Sequence, residues 1–187
     1  MSCRNGPIML DKKSIETLAC KHGFPDFRWI SGNDVQIRQW VRFKCMFGCD
    51  SYGKNGCCPP AVPSVSECRE LFAEYDHILI LQIAEKLGDP NDRKEWSRKK
   101  NLDLFPLESE AFLAGHHKAL LLFMDECRLC DECPGTRVNC RNPSMARPCP
   151  EALAVDVFST VRSAGFPIEV LTEYNQEMNR YAFLLVE

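Results

Sequence analysis

Cys127-Arg-Leu-Cys130-Asp-Glu-Cys133 places three thiols at successive two-residue gaps, and Cys140 follows after six more residues. That spacing lets one tight loop aim several thiolates at a compact target. Cubane iron–sulfur ligation uses this arrangement, with the fourth cysteine supplied from further along. In two-cluster ferredoxins the run ends C-x3-C-P and its last cysteine serves the other cluster. The longer gap here makes Cys140 the ligand expected to close the same cluster, with Cys149 as the competing candidate. A four-cysteine zinc site is the alternative, although its ligands more often come as two separated C-x2-C pairs. Arg128, Asp131 and Glu132 make the segment too polar for a core of inert cysteines. Arg128, Arg137, Arg141 and Arg147 crowd the same loop. They read either as cations offsetting an anionic cluster or as a solvated basic rim.

Cys45-x3-Cys49-x8-Cys58-Pro59-Pro60 supplies a second set of thiols. Gly48, Gly53 and Gly56 let this loop wrap closely around a ligand, and the two prolines stiffen its exit. Cys57 adjoins Cys58, and neighbouring side chains in extended chain point apart, so one metal taking both is awkward. The fourth ligand is open between Cys57, Cys68, Cys149 and no protein ligand at all. A cluster with one open iron could bind a small molecule and do Lewis-acid or redox chemistry. Cys68 reads more simply as a core cysteine on a helix face, and Cys3 and Cys20 as plain thiols. The C-x3-C start resembles radical-SAM cysteines, but the third spacing and the chain length do not fit. His116-His117 reads as a surface or core pair, and Asp125-Glu126 as a solvent-exposed strand end.

Twelve cysteines in 187 residues is the outstanding number, and nine of them fall within Cys45–Cys68 and Cys127–Cys140. Such clustering points to metal rather than to scattered disulfides, and reducing compartments keep thiols free. Hydrophobic residues at 45% and charged residues at 26% match an ordinary soluble chain able to build a core. A net charge of -3 offers no basic field for nucleic acid, and no apolar run reaches the ~20 residues of a membrane span. The first residues lack the charged-then-apolar layout of a secretory signal, so the expected location is cytoplasmic. No P-loop, G-x-G-x-x-G or G-x-S-x-G occurs.

The elements that must carry these cysteines read as follows. Asp11–His22 is an amphipathic helix with Ile15, Leu18 and Ala19 on one face and Gly23 as its stop. Phe27–Ile30 and Val35–Phe43 are extended, the second keeping an apolar face at period two and running straight into Cys45. Ser64 caps a helix over Val65–Tyr75, with Glu67 at the capping-box position. His77–Ala84 and Ala119–Met124 are buried strands, the latter opening into the second cysteine group. Gly88–Asn101, with eight charged residues, is a surface stretch, and helices cover Pro106–His117 and Pro150–Ala164. Ile168–Thr172 and Tyr181–Val186 are late strands. The expected fold is α/β or α+β: one domain over 1–187, a mixed sheet with flanking helices, and metal loops at 45–60 and 127–149 leaving strand ends.

These residues together resemble the predicted metal-binding proteins grouped as domain of unknown function 2284. The resemblance runs from Trp40-Val-Arg-Phe-Lys-Cys45 through Gly48-Cys49, Tyr52-Gly53 and Cys58-Pro-Pro60. It continues at Ala111–Gly115, Cys127-x2-Cys130-x2-Cys133, Cys140-Arg141-x-Pro143 and Arg147-Pro148. Glu151-Ala152, Val155–Val157 and Gly165–Ile168 complete it. It implies metal binding through these cysteines, in a family found mainly in anaerobic microbes. Two departures stand out. The family cysteine at the Leu153 position is missing while Cys149 stands four residues earlier, on the same face if the segment is helical. Cys149 is therefore a candidate ligand, including to the first cluster. The other departure is Cys57, where the family usually has no cysteine.

Three functions follow from the pattern. The first is an electron carrier with two [4Fe-4S] clusters, held by Cys45, Cys49, Cys58, Cys127, Cys130, Cys133 and Cys140, serving a redox partner protein. An enzyme working at an open iron on the Cys45/Cys49/Cys58 set is the alternative. A zinc-stabilised interaction module is the third. The pattern leaves the oligomeric state and any catalytic residue open.

Overall fold

A computed structural model describes residues 11–187 of the chain. Cys3 lies outside the described residues. The framework is a four-stranded sheet in the order β1-β2-β4-β3, with β1 at Phe27–Ile30, β2 at Ile78–Glu85, β3 at Leu120–Leu122 and β4 at Met178–Leu185. Every pairing is antiparallel, so the sheet is not mixed as expected. The reason is the last strand: β4 returns between β2 and β3, which run in the same direction and never pair. Ile78 faces Leu185 and Glu85 faces Met178, so the two eight-residue central strands pair along their whole length.

Alternate residues of these strands enter two separate cores. Ile78, Ile80, Phe183 and Leu185 pack beneath α3 (Val65–Ala73) and α5 (Val157–Ser163). Leu79, Leu81, Ala182 and Leu184 pack beneath α1 (Lys12–Lys21) and α4 (Arg93–Leu113). With both faces covered, β2 reads as a continuous apolar run in spite of being antiparallel. Each fully buried Leu or Ile contributes about 1.5–3 kcal/mol. Local signals set several boundaries. The Asp11 carboxylate caps α1 by accepting from Ser14 N–H at 3.3 Å. Ser64 and Glu67 form the capping box of α3, with Ser64 N–H donating to Glu67 Oε2 at 2.8 Å.

Four elements differ from the reading of the sequence, each for a physical reason. Val35 and Ile37 are buried and Ile37 bridges Val155, but the extended run ends there and α2 spans Gln39–Gly48. Val41 and Cys45, one helical turn apart, turn inward while Phe43 turns out, so period two was coincidental beyond Ile37. The first cysteine loop therefore leaves a helix, whereas the second does follow a strand. Helix α4 begins at Arg93 and absorbs the polar stretch, with Pro106 inside it. Its inward stripe starts with Ser97 and Asn101, which are polar, so hydrophobic periodicity could not reveal its first half. The segment after Pro150 is split: a 3-10 turn at Glu151–Leu153, Ala154 with φ 62°, and then α5 capped by Asp156. Val155 is drawn out of the helix by its bridge to Ile37. Ile168–Thr172 is not a strand; Ile168 alone of its apolar residues is buried. No helix among the described residues is long and apolar enough to cross a membrane.

Candidate metal centres

The cysteines gather around two hollows. The first is lined by Cys45, Cys49, Cys58 and Cys149. Helix geometry positions the first pair: Cys49 sits at the C-terminal end of α2 and donates its N–H to Cys45 O at 3.2 Å, which stacks both thiols on one side. A turn closed by Cys58 N–H to Asn55 O at 3.0 Å presents Cys58. Cys149 arrives from the far side, where Phe123 N–H donates to Pro148 O at 2.9 Å and straps this segment to the end of β3. The hollow opens into a cleft of about 480 Å³ whose remaining wall includes Arg93, Lys94, Asp125, Glu126, Arg128 and Glu151.

Burial pushes the Cys45 thiol up to about 11, with the neighbouring Cys49 adding to it. Burial likewise takes Cys58 to about 12, followed by the charge of Glu126 and the adjacent thiols. Cys149 is raised well above its usual range by burial and then by Glu151. Without a cation between them, these thiols keep their protons at neutral pH. A bound metal supplies the missing positive charge and displaces the protons.

The second hollow holds five thiols: Cys57, Cys127, Cys130, Cys133 and Cys140. Here N–H donors point at sulfur. Gly56 N–H donates to Cys133 Sγ at 3.4 Å and the Asn142 amide to Cys130 Sγ at 3.1 Å. Cys57 donates its thiol proton to Cys127, which with the backbone N–H groups of Leu129 and Arg147 lowers Cys127 to about 6 while Cys57 is pushed up. The Arg137 charge acts in the same direction on Cys127.

The two loops interlock through Asn55 and Gly56. The Asn55 side chain donates to Cys127 O at 2.8 Å and accepts from Cys57 N–H at 3.0 Å. A Cβ on Gly56 would come within 2.8 Å of the Thr136 backbone, so only glycine permits this approach. Gly56 thus serves loop-to-loop contact rather than a ligand, and Gly53 is needed for its φ of 71°. Gly48 meets neither demand.

The adjacent cysteines point apart, Cys57 into the second hollow and Cys58 into the first. Cys149 joins the first group and not the second. Cys68 lies fully buried in the core under α3, and Cys20 is exposed on α1; neither reaches a hollow. His116 is buried and His117 exposed beyond the C-terminal end of α4, roughly 30 Å of helix from its start at the first cleft. Asp125 and Glu126 are not a solvated strand end. Asp125 accepts from Ser97 Oγ at 3.0 Å and lies 3.6 Å from Arg93, while Glu126 pairs with Arg128 at 2.5 Å. Asn101 donates to Glu126 O at 3.2 Å, so the polar residues of the α4 stripe hold the chain just ahead of Cys127. Arg147 is no solvated rim either: it is clamped by Glu108, its Nε donating to Oε2 at 2.9 Å.

Sequence reasoning missed Asn55, Asn142 and Glu108. Asn55-Gly56 carried a turn signal without a partner, and the other two carried no local signal.

The donor chemistry of both hollows suits a thiolate-bound metal or cluster. Thiols are grouped in both, N–H donors face the sulfurs of the second, and Arg128 lines the first and Arg137 the second. Their shapes differ. Among the described residues no group of three or more His, Cys, Asp or Glu is already set as the shell of a single ion. The second hollow has room for about 10 Å³, the space of one water. Anything larger bound there must spread the thiols that line it.

No curated protein and no solved structure matches the chain. A family model does match, over residues 28–186, which include both cysteine groups, and the chain belongs to that family, the predicted metal-binding proteins of DUF2284.

Proposed function

We propose that the chain is a two-centre iron–sulfur protein that transfers electrons in the cytoplasm and serves a redox partner protein. Cys45, Cys49, Cys58 and Cys149 would hold one [4Fe-4S] cluster. Four of Cys57, Cys127, Cys130, Cys133 and Cys140 would hold the other. The observation that carries this reading is the opposed placement of Cys57 and Cys58, which sets a single peptide unit between the two thiol groups. Bound clusters supply reversible one-electron chemistry. The chain's own part is to supply thiolates, to donate N–H groups from Gly56, Leu129, Asn142 and Arg147 to sulfur, and to keep Arg128 and Arg137 close. Donors and cations of this kind favour the more negative, reduced state and raise the potential.

Cys149 lines the first hollow beside Cys45, Cys49 and Cys58, which favours four-thiol ligation over the open-iron enzyme reading. The narrow second hollow favours one further reading, a single zinc ion held by four of its thiols. Protein purified without oxygen and assayed for iron, sulfide and zinc, with EPR after dithionite, separates these. About eight irons with two reducible signals supports the proposal. About four irons plus one zinc supports the mixed assignment, and zinc without sulfide refutes redox function.

A further inference from the structure

Among the described residues nothing covers the opposite face of the helix that brings Cys45 and Cys49 to the first hollow. Trp40, Phe43, Met46 and Phe47 of α2 are 52%, 53%, 43% and 78% exposed. At 3.6 residues per turn they form one stripe, turned away from Val41 and Cys45. The rings of Phe43 and Phe47 lie 6.1 Å apart, so the stripe is a continuous aromatic surface. Scattered apolar residues need no explanation, but four together on one helix mark an interaction site. Lys44 borders the stripe and Arg38 stands exposed at the helix start, while the Arg42 guanidinium turns inward onto Pro63 O and Ala152 O. Between Arg38 and Cys49 there are three basic residues and no acidic one, in a chain whose net charge is -3.

From this aromatic stripe and its basic border we infer that α2 is the docking surface for an acidic electron-carrier protein, one with an apolar contact patch rimmed by Asp and Glu. The inference rests on the redox reading above. A second copy of the chain is disfavoured, because a two-fold contact through α2 would bring Lys44 and Arg38 of one copy toward those of the other. The acidic carrier instead meets opposite charge at the rim and apolar surface at the centre, the usual anatomy of a transient interface. It also docks on the same helix that supplies two thiols of the first hollow.

The test uses the full chain purified anaerobically with its metal, a Phe43→Ser/Phe47→Ser variant and, separately, Lys44→Glu. Iron, sulfide and dithionite reduction are measured first. Absence of iron and sulfide in the unaltered protein would refute the redox reading itself, and the docking inference with it. With those intact in all three proteins, electron exchange with reduced flavodoxin, an acidic flavin carrier, is followed by stopped flow. The expected result is a fall of about tenfold or more in the serine variant. The Lys44→Glu variant should show a smaller fall and a weaker salt dependence. Equal rates in all three proteins, or no exchange with the unaltered protein, would overturn the docking inference and leave the redox reading standing. A dimer in sedimentation that dissolves in the serine variant would overturn it in favour of a second copy. Flotation with anionic vesicles, lost in the serine variant, would overturn it in favour of a membrane surface.

Discussion

Replacing Glu108 by alanine removes one carboxylate that serves three donors. Its Oε2 accepts from Arg147 Nε at 2.9 Å and from Leu121 N–H at 2.6 Å, and its Oε1 accepts from the Arg147 Nη2 group. Leu121 lies on β3, an edge strand of the sheet, so Glu108 stands where a further strand would pair. The two side chains are 12% and 15% exposed, and the guanidinium also rests on the Phe105 ring at 5.3 Å. Removing one partner from a buried pair costs about 3–5 kcal/mol, because the remaining charge stays buried. The low end applies here, since both groups keep some contact with water and Arg147 retains bonds to Ser144 O and Ala146 O. A cost of about 3 kcal/mol lowers the melting temperature of a chain this size by roughly 6–12 °C. Glu108→Gln keeps an acceptor for Leu121 N–H and should lose about half as much. Thermal denaturation by circular dichroism, at fixed metal loading, is the assay. A fall below about 2 °C for the alanine variant would refute the argument that this clamp holds the second cysteine loop to α4 and β3.

Three further outcomes follow from the same geometry. Cys58→Ser should lose the iron of the first hollow, which has four thiols and no spare among the described residues, whereas Cys57→Ser should retain its iron because four thiols remain in the second; iron and sulfide analysis decides. Metal-free protein should lose stability as pH rises from about 9 towards 12, measured by urea denaturation. The folded-state values of Cys45 and Cys58, about 11 and about 12, lie above the ordinary 9.0, so the stabilisation is complete below 9 and lost on rising through the folded values. Metal-loaded protein, whose thiols are already deprotonated, should show no such loss, and equal slopes would refute the assignment. Gly56→Ala should cost about 1–3 kcal/mol and loosen metal at both hollows, because its Cβ meets the Thr136 backbone at 2.8 Å; unchanged stability would mean the loops part freely.

How much of this was legible in the chain depended on range. The capping box at Ser64, the Asp11–His22 helix and the apolar run of β2 were readable because neighbours in sequence determine them. The α2 boundary was not, since alternation through Val35, Ile37 and Val41 satisfies either period over so few residues. The start of α4 was hidden for a different reason: Ser97 and Asn101 occupy core-facing positions and bond to Asp125 and the Glu126 carbonyl, so polar contacts displaced the apolar signal. The cysteine groups were visible as clusters, and the divergence of Cys57 from Cys58 was foreseeable from local geometry. The sequence left Cys149 a candidate for either group, and its place in the first hollow goes with the strap between Phe123 and Pro148.

The two hollows therefore depend on the fold to different degrees. Four thiols of the second lie within Cys127–Cys140, and its local loop can gather them with little help. The first takes Cys45 and Cys49 from α2, Cys58 from the turn after it and Cys149 from beyond β3, so its thiols meet only when the sheet is assembled. Closing a long loop costs only slightly more entropy than closing a short one, about 0.6 kcal/mol per doubling. The burden on the first hollow is thus not loop length. It is the desolvation of Cys45, Cys58 and Cys149 together, which the raised thiol values record. A site that is unfavourable to leave as bare thiolate and readily neutralised by a cation is one that folding alone prepares and metal completes. The Asn55–Gly56 contact then makes the two centres interdependent, since the turn that aims Cys58 also aims Cys57 and grips the Cys127 carbonyl.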